Sequence, residues 1–220
     1  KAEVKLKEMA DLIRNGKQKE FPSLKLKSSI EPQFPKEKYC EMVEKAKHYI
    51  HEGDIFQVVL SNPMRAKAEG SLFDTYRVLR ATNPSPYMFY FSSDDIEIAG
   101  ASPETLAKLT GTELSTFPLA GTRPRGKTRE EDEVLEKGLL ADEKEKAEHV
   151  MLVDLARNDM GRVSEFGSVK VTDFMKIQYY SHVMHIVSLV EGRKKGKYHP
   201  FDLVSSFLPA GTLSGAPKIR

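Results

Sequence analysis

Cysteine is almost missing from this 220-residue chain, and its scarcity removes one class of protein at once. The lone Cys40 cannot close an internal disulfide, so the fold must rest on an apolar core, for which this length is ample. Its neighbours place Cys40 in a helix as a small packing residue, with no acidifying context for a catalytic thiol. No stretch approaches the roughly 18 apolar residues of a membrane span. No signal peptide is visible, so no membrane partner is expected and a reducing, cytoplasmic setting fits. An excess of one charge is missing too. Lys and Arg number 34 against 32 Asp and Glu, well mixed along the chain, which leaves no basic footprint for nucleic acid. With 40% hydrophobic and 30% charged residues, the chain is not a disordered one. Internal repeats and low-complexity tracts are absent.

What is present reads as an irregular mixture of helices and antiparallel strands, an α+β pattern. Residues 1–15 carry a weak helical period, and 16–35, rich in Lys, Ser and Pro, reads as an irregular connector. Pro35 to Glu52 is a helix stopped by Gly53. Ile55 to Leu60 reads as a buried strand with Gln57 as its one polar residue. A helix over 71–80 cannot pass Asn83-Pro84-Ser85-Pro86. Strands follow at 87–91 and 96–101, then a hairpin of 105–109 and 113–119. After a helix from Thr128 to Leu140 come long strands at 168–178 and 181–190, a short helix at 201–207, and a glycine-rich loop from Pro209 to Gly215. Both ends look cut. The first residues read as already helical, and Pro217 to Arg220 reads as a first helical turn that does not continue, so the chain is expected to be a fragment.

One stretch breaks the usual placement of charge. Ala141 to Gly161 reads as a helix capped by Asp142, with Glu145 three residues on. At about 100° per residue, Met151, Leu152, Leu155 and Ala156 share a face, with Glu148 in its middle and Glu145 on its shoulder. Lys146, His149, Asp154 and Arg157 point away. A carboxylate amid an apolar stripe is costly unless a cation or several donors meet it. Either the helix is rotated and Glu148 sits at a solvated edge, or the interior needs a carboxylate.

Four other stretches could carry chemistry. Leu119 to Gly126 (LAGTRPRG) offers exposed backbone N–H groups, a hydroxyl and two arginines, as an anion site or as a turn with solvated cations. It is not a P-loop. Gly100-Ala101-Ser102-Pro103-Glu104 ends a strand on a carboxylate, suited to a general acid or simply exposed. In Ser181-His182-Val183-Met184-His185, strand alternation sends the histidines to opposite sides, which argues against a His-based zinc site. One of them could face a cleft as a proton shuttle. Pro209 to Pro217 makes a second anion site at a helix start. Anion loops together with inward carboxylates suggest a hard cation clamping an anionic substrate.

These blocks, with Gly53 to Ser61 and Asn83 to Tyr90, resemble the chorismate-utilising enzyme family over roughly residues 36–220. The resemblance implies two large antiparallel sheets packed as a sandwich with helices outside, incomplete in this fragment. On it, 1–35 is a connector from a missing N-terminal region, and 36–220 is a chorismate-binding catalytic domain truncated at its C-terminus. It implies Mg²⁺, with Glu148 resembling the metal ligand and Glu145 the acidic residue beside it. Glu104 resembles the general acid that helps the 4-hydroxyl of chorismate leave, and His185 the histidine beside the ring. Gly121, Thr122 and Thr212 resemble substrate contacts.

The resemblance also separates branches of the family. Isochorismate- and salicylate-forming members place Lys where Gln57 stands, so Gln57 points to ammonia as nucleophile. Aminodeoxychorismate-forming members commonly place a nucleophilic Lys where Ala120 stands. The implied reaction is chorismate plus ammonia to anthranilate plus pyruvate, with ammonia from glutamine through an amidotransferase subunit. Aminodeoxychorismate or aminodeoxyisochorismate formation is the alternative within the family. Pro86, Tyr87 and Met88 resemble the contact segment for L-tryptophan as feedback inhibitor. Further metal and substrate residues of the family lie beyond Arg220, so an inert fragment with a partial ligand site is the alternative of another class.

Overall fold

The computed structural model describes residues 2–17 and 20–218, so the part of the expected terminal turn on Ile219 and Arg220 lies outside it. In chain order the elements open with α1 (Ala2–Asn15), β1 (Lys25–Leu26), β2 (Glu31–Pro32) and α2 (Lys36–His51). Next come β3 (Gln57–Val58), β4 (Met64–Arg65), β5 (Ala68–Glu69), α3 (Phe73–Thr82), β6 (Tyr87–Ser92) and β7 (Glu97–Ser102). Then follow β8 (Lys108–Thr110), β9 (Glu113–Thr116), β10 (Leu119–Pro124), α4 (Arg129–Ala141) and α5 (Glu143–Gly161). The chain closes with β11 (Lys170–Tyr179), β12 (Val183–Arg193), α6 (Pro200–Phe207), α7 (Gly211–Ser214) and β13 (Gly215–Ala216). Every pairing between named strands is antiparallel, and the class is α+β.

The chain divides into two units, Lys1–Pro32 with Met64–Pro103, and Gln33–Pro63 with Glu104–Arg220. In the first, β6 and β7 form a hairpin, and Glu97 fastens it to α3. Its carboxylate accepts from Ser71 Oγ at 2.9 Å, from the Leu72 N–H at 2.6 Å and from Tyr90 Oη at 3.0 Å. The stretch read as an irregular connector contributes two short strands, β1 pairing with β5 and β2 with β4.

The second unit holds a five-stranded antiparallel sheet. β12 is its spine, with β11 on one edge and β10 and β9 end to end on the other. Burial alternates along β12, and Met184, Ile186, Ser188 and Val190 point into the core. Val190 packs with Leu114, Val153, Ala156, Met160, Val163, Leu203 and Phe207, while Met184 and Ile186 pack with Leu139. Each Val, Leu, Ile, Phe or Met among them fully removed from water contributes about 1.5–3 kcal/mol. Helices α4 and α5 are anchored at their starts. Thr128 Oγ1 accepts the Glu131 N–H, and the Asp142 carboxylate accepts those of Lys144 and Glu145.

Several local readings change. Phe56 is 74% exposed and Val58 and Val59 are more than a third exposed, so Ile55 to Leu60 is not a buried strand; only Gln57 and Val58 pair, with β13. The Leu119 to Gly126 stretch is strand over most of its length, because β12 supplies a partner for its backbone. Within the expected glycine-rich loop, Gly211–Ser214 is a short helix. Cys40 is exposed on α2 and packs no core.

Candidate active site

Gly121 is where β10 departs from regular pairing. The register against β12 shifts between Ala120 and Thr122, and Gly121 takes φ +68. An L side chain rarely adopts that conformation, and a Cβ would also meet Leu139 Cδ1 at 3.0 Å and Glu145 Oε2 at 3.2 Å. The bulge turns the Gly121 carbonyl toward His185, whose Nδ1 lies 2.9 Å from it and 3.0 Å from Thr122 Oγ1. A carbonyl only accepts, so Nδ1 is the donor in that contact. Gly121, Thr122 and His185 are thus one cluster, with the Glu145 carboxylate beside it on α5. His182 lies in the turn just before β12 and is exposed.

Arg123 on the same strand and Arg125 just past its end do not wait for an anion. Arg123 Nη2 donates to Asp142 Oδ2 at 3.0 Å. Arg125 donates through Nε and Nη2 to Asp132, at 2.6 Å for the closest contact, and through Nη1 to the Tyr180 carbonyl. Hydrogen bonds from Arg125, then from the Gly126 N–H, hold the Asp132 carboxyl below its ordinary pKa. The sequence allowed a free anion fork here or solvated cations; both arginines are instead committed to carboxylates.

Glu104 and Thr212 both line a cavity of about 40 Å³, together with Leu152, Leu155, Phe207 and Asp159 among others. Burial raises the Glu104 pKa, which keeps a proton on the carboxyl to higher pH and suits a donor. Thr212 reaches this wall because Gly211 permits close approach: a Cβ there would lie 2.8 Å from Leu155 Cδ1. Gln57 opens onto a second, larger cavity of about 420 Å³, shared with Tyr49, Asp54, Ser214 and Lys218. Its Oε1 is buried without a hydrogen-bond partner.

Helix α5 is rotated relative to the sequence reading. His149, Leu152, Val153, Ala156, Asp159 and Met160 form its buried face, and Glu145 and Glu148 are half-buried at the edge. The expectation that His149 points outward is therefore wrong. Ser188, aimed inward from β12, meets it at 2.6 Å through Nε2, and this polar partner outweighs the simple apolar count. Burial depresses the His149 pKa to about 4. Among the described residues no three His, Cys, Asp or Glu side chains converge as a metal site. Glu145 and Glu148, three residues apart on one helix edge, are oxygen donors of the kind Mg²⁺ takes when water and substrate complete its shell. Pro86, Tyr87 and Met88 belong to the other unit, at the start of β6, with Pro86 and Tyr87 exposed and Met88 partly buried.

Sequence reasoning passed over Asp159 and Lys218. Both are nearly buried, and Lys218 Nζ donates to Asp159 Oδ2 at 2.6 Å. The available signal was the spacing of Asp159, three residues from Ala156 and next to Met160, on the stripe that proves to be core.

Residues 1–220 match the family described as chorismate binding enzyme. The chain is 52% identical over 216 residues to anthranilate synthase component 1 of Aquifex aeolicus (strain VF5), covering 98% of this chain and 43% of that protein. It is 51% identical over 187 residues to aminodeoxychorismate synthase component 1 of Bacillus subtilis (strain 168), covering 85% and 40%. The crystal structure of anthranilate synthase component I from Streptococcus pneumoniae TIGR4 superposes with a TM-score of 0.84 at 43% identity, across 99% of this chain and 48% of that one. The chain therefore spans less than half the length of these relatives.

Proposed function

The chain belongs to the chorismate binding enzymes, and from that premise we propose that it is part of an anthranilate synthase large component. The reaction is chorismate plus ammonia to anthranilate, pyruvate and water. The observation that carries the reading is Glu104, a carboxyl with a raised pKa sharing a cavity with Thr212. Hydroxide is a poor leaving group, and a proton delivered by Glu104 lets the 4-hydroxyl depart as water. Thr122 and Thr212 orient the substrate, and His185 lies beside the ring. Gln57 stands by the attacking ammonia. An amide neither activates water nor competes as a nucleophile, which favours ammonia as the reactant. Loss of pyruvate then completes the aromatic ring.

Glu148, with Glu145, would hold Mg²⁺. The cation supplies neutralisation of the ring carboxylate. Ammonia comes from glutamine through a partner amidotransferase subunit, and L-tryptophan acts as feedback inhibitor at Pro86, Tyr87 and Met88. A cytoplasmic site of action is in keeping with the chemistry, and no described helix is long and apolar enough to cross a membrane.

The test is anthranilate fluorescence from the full-length protein with chorismate, Mg²⁺ and an ammonium salt; absence of product sinks the reading. Glu148→Gln should abolish the Mg²⁺-dependent rate, and full activity in that variant refutes its ligand role. The Bacillus subtilis relative supports a second reading, aminodeoxychorismate formation. Ala120, 7% exposed, has no nucleophile to offer that branch. Chromatography of the product decides, since an amino product that retains its enolpyruvyl group would establish the second reading.

A further inference from the structure

The segment that carries Thr212 is tied at both ends by one ammonium group. Lys218 Nζ donates to the Phe207 carbonyl at 2.7 Å and to Asp159 Oδ2 at 2.6 Å. Phe207 is the last residue of α6, whose terminal carbonyls lack helical partners. Asp159 is on α5, the helix that carries Glu145 and Glu148. One side chain thus joins α5, the end of α6 and the chain beyond β13. Between the two tied points lie Gly211, packed on Leu155, Thr212 in the Glu104 cavity, and Gly215 and Ala216 paired with Val58 and Gln57. Asp159 lines the Glu104 cavity and Lys218 lines the Gln57 cavity.

The side chains of Lys218 and Asp159 are 10% and 11% exposed. A pair this buried adds little net stability over apolar residues, because desolvation offsets most of the attraction. What it does supply is one geometry, since the carboxylate and the carbonyl together fix where the ammonium sits.

We propose that Asp159 and Lys218 are positioning residues, a buried latch that holds the 208–218 segment so that Thr212 and the Gln57 wall meet the substrate in register. The inference rests on the chorismate reading of this site. Neither residue touches the reacting atoms; both act through Thr212 and Gln57.

The experiment compares full-length wild type with Lys218→Met, Lys218→Arg and the neutral double variant Asp159→Asn/Lys218→Met. The double variant avoids leaving a lone buried charge that could unfold the protein. Steady-state kinetics with chorismate are measured at saturating ammonium, beside thermal unfolding and amide hydrogen exchange of residues 208–218. Loosening the latch should raise KM for chorismate about tenfold or more in Lys218→Met and in the double variant, as misplaced binding groups do. Lys218→Arg, which keeps the charge and reach, should recover most of it. Exchange at Thr212 to Gly215 should quicken by about the same factor in the variants lacking the charge. A folded double variant with wild-type KM and kcat overturns the proposal, as does a lowered unfolding temperature with unchanged kinetic constants. Wild type without anthranilate product overturns the functional reading instead. The exchange data then decide the latch alone: unchanged exchange in the double variant overturns it, and faster exchange confined to 208–218 upholds it.

Discussion

Acidification should destabilise this protein through one histidine, and the size of the effect follows from the core around it. His149 is fully buried, its Nε2 meets Ser188 Oγ at 2.6 Å, and its Nδ1 is buried without a partner. Ser188 Oγ already accepts the Met175 N–H at 3.0 Å. An imidazolium needs an acceptor at each nitrogen, and Nδ1 has none, so burial lowers the pKa from 6.5 to about 4. Between those two values the unfolded chain binds a proton that the folded chain refuses. Stability is therefore retained above the unfolded pKa and lost as pH falls from 6.5 toward 4. Linkage puts the loss between pH 7 and pH 5 at about 2 kcal/mol, and an upper bound of about 3 kcal/mol is reached near pH 4. Urea unfolding followed by circular dichroism at pH 7 and pH 5 measures it, with His149→Gln as the non-titrating comparison that can still bond Ser188. Wild type should lose about 2 kcal/mol more than the variant over that interval. Equal losses in the two proteins, or a His149 NMR resonance that titrates near pH 6.5, would refute the reasoning.

Three further outcomes are expected. Gly121→Ala should cost about 2–4 kcal/mol from left-handed strain and a crowded Cβ, read as a lowered unfolding midpoint together with weaker chorismate binding. Gly215→Ala should be at least as severe, because φ is +137 and a Cβ would sit 2.3 Å from the Gln57 carbonyl; loss of β13 pairing would show as fast amide exchange at Gln57 and Val58. As the proposed general acid Glu104 works in its protonated form, so on that proposal kcat should fall as pH rises through its elevated pKa. Glu104→Gln should lose about 10²–10⁴ in kcat and, with it, that alkaline limb.

The local elements were legible because their causes are local. Asp142 is a capping residue that needs only its own first turn, and the period of α2 or the alternation of β12 follows from side chains a few positions apart. Gly53 ends α2 with φ +78, as a helix-stopping glycine should. The readings that failed depended on what a distant segment supplies. Leu119 to Gly126 became strand because β12 lies alongside, and α5 turned because Ser188 offered His149 a buried partner. Ile55 to Leu60 looked buried on apolar content alone, yet only Gln57 and Val58 find a strand to pair with.

By itself the sequence determined the α+β class, the capped start of α5 and the residue types on which the proposed chemistry draws. Ordered blocks of short-range pattern survive without knowledge of the fold. Tertiary structure alone decided which of those residues meet. It set His185 against the Gly121 bulge, gave Glu104 a cavity with Thr212, and spent Arg123 and Arg125 on carboxylates. It also joined Asp159 to Lys218 across 59 positions, a contact visible to no window of sequence. The physical reason is the range of the forces involved. Propensity and capping act within a turn, whereas burial, ion pairing and pKa depend on groups brought close only by the folded chain.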